Sequence, residues 1–201
     1  MNTAIRNTML AVALLAPLSA SAEGFRASIS AFNLNPTSDN GALASGALDV
    51  SVNSETNFTV AGEYAFNDRW SVEVQYGFGF DHDVSLNGAK SLEITHKPLT
   101  VAGKYTFNGE KFRPYLGLGL NRTGFSDETE FGPIAGTNTT LDDSSGLAAL
   151  AGVEFDLTEQ FALRGEVRWI DMDTDVAVNG AGVGVAHVDP ILVGVSAVLR
   201  F

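Results

Sequence analysis

The residue pattern predicts an all-β, eight-stranded antiparallel up-and-down transmembrane β-barrel. Three observations carry this. Near the end of the chain, Ile191, Val193, Val195, Ala197, Leu199 and Phe201 share one face of a period-two segment, while Leu192, Gly194, Ser196, Val198 and Arg200 share the other. A period of two is a strand. The same alternation recurs upstream, and the connections between the repeats alternate short and long, as in a meander with turns at one end and loops at the other. An apolar face that runs to a closing aromatic is expected where lipid is the solvent and the sheet closes on itself.

In order, residues 1–22 read as a cleaved signal peptide. Arg6 gives a positive start, Met9 to Leu18 is apolar but shorter than the ~20 residues of a spanning helix, and Ala20-Ser21-Ala22 is a small-residue cleavage signal. Residues 23–201 then form one barrel domain. Its strands place these residues outward: Phe25, Ala27 and Ile29; Phe58, Val60, Gly62 and Tyr64; Trp70, Val72, Val74 and Tyr76; Leu99, Val101, Gly103 and Tyr105; Leu116, Leu118 and Leu120; Leu147, Ala149, Ala151 and Val153; Phe161, Leu163, Val167 and Trp169; and the final segment. Each is near the ~9–11 residues of a tilted bilayer strand. Asn67-Asp68, Asn108 to Glu110 and Asp156 to Gln160 are short turns, expected on the periplasmic side. Asn35 to Ser54, Asp81 to Ser91, Gly124 to Asp143 and Asp171 to Ala186 are long polar connections, expected outside the cell. Phe25, Phe66, Trp70, Phe107, Phe155, Phe161 and Phe201 fall at the turn ends, and Phe80 and Trp169 nearer the loop ends, as two interfacial girdles require.

The chain has 24 acidic and 12 basic residues, and loss of Arg6 with the signal lowers the formal net charge of −12 by one more unit. That balance excludes a nucleic-acid partner, which needs Lys and Arg on phosphates. Cysteine is absent, so neither disulfides nor thiol chemistry is available. A soluble eight-stranded barrel such as a lipocalin shows the same alternation with its apolar face inward. The signal sequence, Phe201 and the rim aromatics favour the membrane form.

With the apolar face on lipid, the opposite face encloses Arg26, Glu63, Glu73, Lys104, Arg113, Glu154, Arg164, Glu166 and Arg168. Eight strands leave room for side chains and little else, and unpaired charges there are costly. Cross-strand ion pairs forming a plug are therefore expected rather than an ion pore. Towards the outer end the inward candidates are Phe32, Leu34, Leu92, Ile94, Ile170 and Met172. They either line an apolar funnel or pack the end of a small core.

Several spaced motifs resemble one family. They are Phe112-Arg113-Pro114-Tyr115-Leu116-Gly117-Leu118-Gly119-Leu120-Asn121, then Asp143-Ser144-Ser145-Gly146-Leu147, then Trp169-Ile170-Asp171-Met172-Asp173-Thr174. Val188-Asp189-Pro190 before the final strand, and His96 with Pro98-Leu99-Thr100, complete the set. Together they resemble the OmpW family of outer-membrane proteins from about Gly24 to Phe201. The resemblance implies an outer-membrane barrel for passive uptake of small hydrophobic molecules, with an apolar outer lumen shut off from the periplasm and sideways release into lipid. Pro190, which cannot donate to a ladder, is the candidate for that lateral opening. Gln75 and Arg168 depart from the family's large apolar mid-lumen side chains, so the conduit here is more polar.

The implied partners are outer-membrane lipid and lipopolysaccharide, a small hydrophobic solute, and the barrel-assembly machinery through Phe201. The alternative is a structural or interaction barrel whose acidic loops meet host surfaces, phage or lipopolysaccharide. An enzyme is disfavoured: no serine stands at a suggestive spacing from His82, His96 or His187. No cofactor is expected. Asp171, Asp173 and Asp175 carry oxygen ligands suited to calcium but read as a solvated loop, so no metal site is expected either.

Overall fold

The computed structural model describes residues 24–36 and 40–201. The expected signal peptide lies outside them. The strands run β1 (Phe25–Asn35), β2 (Ala42–Leu43), β3 (Leu48–Val52), β4 (Glu55–Ala65), β5 (Trp70–Gly77), β6 (Phe80–Leu86), β7 (Ala89–Thr106), β8 (Phe112–Glu130), β9 (Thr139–Leu141), β10 (Ser144–Asp156), β11 (Phe161–Ile170), β12 (Asp173–Val178), β13 (Ala181–His187) and β14 (Ile191–Arg200).

Eight of them close a ring of antiparallel ladders, β1–β4–β5–β7–β8–β10–β11–β14 and back to β1. Closure pairs Arg26 with Arg200, and the Phe201 N–H donates to the Phe25 carbonyl at 3.0 Å. A closed ladder satisfies every backbone group internally, as a lipid solvent demands. The short turns are built by side chains. Asn67 Oδ1 accepts from the N–H groups of Arg69 and Trp70, both at 2.9 Å, and Thr158 Oγ1 accepts from those of Gln160 and Phe161.

The expected sidedness holds along the barrel. Leu118 is 75% exposed, Val195 68% and Leu120 67%, whereas Ser196, Val198 and Leu192 on the alternate positions are buried. The ring is so narrow that large inward side chains lie against glycines. A Cβ on Gly194 would stand 2.4 Å from the Phe32 ring, and one on Gly152 would stand 2.3 Å from the Tyr115 hydroxyl.

Two expectations are corrected. Phe80 belongs to no outer girdle; it is fully buried in the lumen. Gly77 faces inward on β5, but Gly79 takes a φ of +114° and Phe80, His82 and Val84 face inward on β6. One irregular residue exchanges the two faces of everything beyond it. The long connections are also not plain polar loops. β6 and the first half of β7 continue the wall outward, β3 and β2 add to its edge, and β9, β12 and β13 form a small second sheet. On β3, β6 and the outer half of β7 the outer face is polar, with Asp49, Ser51, Asp81 and Lys90 exposed, and the inner face largely aliphatic, with Val50, Val84, Leu92 and Ile94 buried.

Candidate functional site

The lumen has two parts. The inner part is an ion-pair network. Arg164 sits at its centre and donates to Glu63 at 2.8 Å, Glu73 at 2.9 Å and Glu154 at 2.8 Å. Lys104 donates to Glu63 at 2.9 Å and Glu73 at 3.0 Å, with its ammonium 4.4 Å from the Tyr115 ring centroid. Arg168 donates to Glu73 at 2.8 Å and to Glu166 at 2.7 Å, and Tyr115 donates its hydroxyl to Glu166 at 2.6 Å. Towards the rim that carries the short turns, Arg113 and Arg200 both hold Glu154 and Asp156, and Arg26 reaches Glu63 at 3.3 Å.

All nine inward charges read from the sequence therefore lie in this one network. The pairing is less local than neighbouring strands suggest: Arg164 and Arg168 reach Glu73 on β5, across the lumen from β11. Arg168 pairs with Glu73 and with Glu166 on its own strand, not with Glu154. Arg200, Asp156 and Tyr115 were missed as members. Arg200 was legible from its inward position in the final alternation; Asp156, at the mouth of a turn, carried no such signal. Charges this deep are tolerable only because each meets at least one opposite charge and further hydrogen bonds.

Above the network apolar side chains predominate, beside buried Gln75 and a buried polar strip in which Asn121 donates to Thr100 at 2.9 Å and accepts from Thr123 at 2.8 Å. Arg168 marks the boundary, with its guanidinium carbon 5.9 Å from the Phe32 ring centroid. Phe32, Leu34, Ile170 and Met172 pack there with Phe80, Ala148, Val188 and Leu192. Leu92 and Ile94 belong to a second cluster farther out, with Leu43, Val50, Val84, Val176 and Ala186. Phe125 packs against both clusters. The second cluster encloses a cavity of about 80 Å³ lined by aliphatic side chains, Phe125, Thr139 and Thr174. The expected apolar lumen residues thus fall into two storeys. The upper storey's other members were missed because they lie in segments that look polar overall. Leu48, Val50 and Val52 alternate briefly, as do Val176 and Val178, and that was the available signal.

Gln75 is buried at mid-lumen, as is Arg168. Pro190 is buried, and its carbonyl accepts from the Ile170 N–H at 3.2 Å. The ladders of β14 with β1 and β11 both end at Ile191, one residue below it. Farther out, Asn40 ties the edges, exchanging hydrogen bonds with the His187 carbonyl at 2.9 Å and its N–H at 3.2 Å. The acidic loop site does not gather: Asp173 accepts from His187 Nδ1 at 2.6 Å, and the described residues hold no group of three or more metal-ligating side chains.

The profile of the OmpW family matches residues 25–201. The chain belongs to the OmpW family. Outer membrane protein W of Vibrio cholerae serotype O1 is 34% identical, over 90% of this chain and 88% of that protein. Outer membrane protein AlkL of Ectopseudomonas oleovorans is 27% identical, over 77% of this chain and 71% of that protein. Among solved structures, the crystal structure of OprG from Pseudomonas aeruginosa superposes with a TM-score of 0.75 at 26% identity, covering 90% of this chain and 98% of that one. This OmpW-family chain is therefore an outer-membrane β-barrel protein.

Proposed function

We propose that this barrel takes up small hydrophobic molecules passively from outside the cell, through an outer lumen that is apolar and an inner lumen that is plugged. One observation carries the reading: beyond Arg168 two clusters of apolar side chains fill most of the lumen, and below it ion pairs do. Burying apolar surface in the upper storeys is worth about 25 cal/mol per Å². Passing the network would place the same surface among charges that cannot be solvated by it. The solute leaves sideways into hydrocarbon, where partitioning is favourable, and the ladder ends around Pro190 supply the weak place in the wall. The cavity is too small for most solutes, so the outer strands must part to admit one. Outer-membrane lipid and lipopolysaccharide surround the barrel in this reading, and Phe201 presents its C-terminal strand to the assembly machinery.

The test is uptake into proteoliposomes of matched apolar, polar and charged solutes, by the natural protein and by Val176→Trp, which fills the outer cavity. Apolar solutes enter through the natural protein, and Val176→Trp slows them without loss of folded barrel. Entry of charged solutes removes the plug. Entry of none leaves the acidic outer surface, and an interaction role, as the better account.

A further inference from the structure

Between the two apolar storeys stands a polar pair that a purely hydrocarbon path does not need. His82 on β6 and His96 on β7 both point inward and are fully buried, with ring centroids 4.5 Å apart and planes at 38°. They lie one inward position below Val84 and Ile94, which line the outer cavity. Phe125 lines that cavity too and meets the His96 ring edge-on at 4.8 Å. The irregularity at Gly79 is what turns His82 inward; uninterrupted alternation from Gly77 would have placed Asp81 and Asp83 there instead.

His82 Nδ1 lies 2.7 Å from the Asn53 carbonyl oxygen. A carbonyl only accepts, so Nδ1 carries the proton and Nε2 presents a lone pair. That Nε2 has no hydrogen-bond partner in the protein, and neither ring nitrogen of His96 has one. A neutral imidazole offers one donor and one acceptor. The pair therefore holds one N–H and two lone pairs without a protein partner, directly below the side chains that line the outer cavity, although buried polar groups are almost always satisfied.

We infer that His82 and His96 bind the head group of an amphiphilic solute: a hydrocarbon chain ending in a protic oxygen, as in an alcohol or a protonated carboxylic acid. The O–H donates to a free imidazole lone pair while the same oxygen accepts the His96 N–H. The chain lies against Val84, Ile94 and Phe125. An alkane leaves all three nitrogens unpaired, a carboxylate brings an uncompensated charge into hydrocarbon, and an ammonium cannot accept. The inference rests on the uptake reading only for how the solute arrives.

Histidine-labelled protein in lipid nanodiscs, titrated with octanol and with octane, tests the site directly. Octanol shifts the imidazole resonances of His82 and His96 saturably, and octane does not. In uptake, His96→Phe lowers the octanol-to-octane preference by about fivefold, the worth of about one hydrogen bond, and His96→Asn, which keeps a donor and an acceptor, restores it. Should His96→Phe fail to fold, as read by gel mobility with and without heating, His82→Leu replaces it. Equal shifts from both probes, no shift, or an unchanged preference in the folded variant overturns the site. Failure of the natural protein to admit octane overturns the uptake reading instead, and the resonance shifts then judge the site alone.

Discussion

Below Phe32 the lumen is filled by guanidinium, ammonium and carboxylate groups; above it the filling is mainly aliphatic and aromatic. The two halves are also walled differently. The inner half and most of the first apolar storey lie inside the closed ring of eight ladders, while the upper storey is shared between an extension of that ring and the separate β9–β12–β13 sheet. At one seam β13 meets β2 without a ladder, with the Gly184 backbone against the Leu43 side chain. Ion pairs are directional, and each needs its partners in place. Aliphatic contacts are not directional and can slide or re-form. The difference suits one end to staying shut and the other to opening.

The comparison breaks most severely at Arg164. Arg164→Met keeps the bulk but leaves Glu63, Glu73 and Glu154 short of a shared cation, and removing one partner of a buried pair costs about 3–5 kcal/mol. The expected result is a large drop in the urea midpoint in detergent, or no folded barrel at all. A variant as stable as the natural protein would show that the network does not hold the inner half together.

Gly194→Val tests the border between the halves. Its Cβ would collide with the Phe32 ring and, at 2.6 Å, with the Ala31 carbonyl oxygen. Overpacking of this kind costs about 3 kcal/mol at the upper end of its range. Phe32 must tilt towards Arg168 or into the layer above. The check is the unfolding midpoint beside that of Gly194→Ala, which shares the Cβ but not the branching methyls and so loses less.

Most of this division was readable in the chain. Strict alternation placed Val195 on lipid and Ser196 inside, and it put every expected plug residue in the lumen, because a slip of one residue would have exposed a whole charged face to hydrocarbon. The misreadings have separate causes. Alternation gives a side only while the register is unbroken, and Gly79 breaks it, so Phe80 and His82 were not assigned to the interior. The outer strands were lost because short strands between turn residues have too few positions to show a period above their polar outer faces. Pairing is a further step beyond sidedness: nothing local to Arg168 says that it meets Glu73 from across the barrel.

Leu43→Ala sharpens the contrast from the outer side. The side chain is buried in the upper storey and touches Gly184 across the unladdered seam. Its loss costs about 2 kcal/mol, the low end for a buried leucine. That loss falls on local opening of the outer strands rather than on unfolding of the ring. Amide exchange therefore quickens in β2 and β13 and stays unchanged in β11, and bulkier apolar solutes enter faster. Equal quickening in β11 would mean that the halves are one cooperative unit.

The smallest effect is electrostatic and lies at the other seam. Glu130 Oε1 accepts the Thr139 backbone N–H at 2.6 Å, tying the end of β8 to β9. That donated hydrogen bond favours the ionised carboxyl and holds it below the usual glutamate range. A carboxyl depressed in the folded state contributes stability above its unfolded pKa and loses it as pH falls through its folded one. Acidification below the ordinary glutamate range should therefore loosen the β8–β9 seam. Glu130→Gln keeps an acceptor but no titrating charge, so its seam should be weaker throughout and insensitive to that change. The measurement is amide protection at Thr139 against pH, corrected for intrinsic exchange, with β11 amides as the internal reference. Protection that stays level through the carboxylate range in the natural protein would mean that the outer sheet is held by its aliphatic face alone.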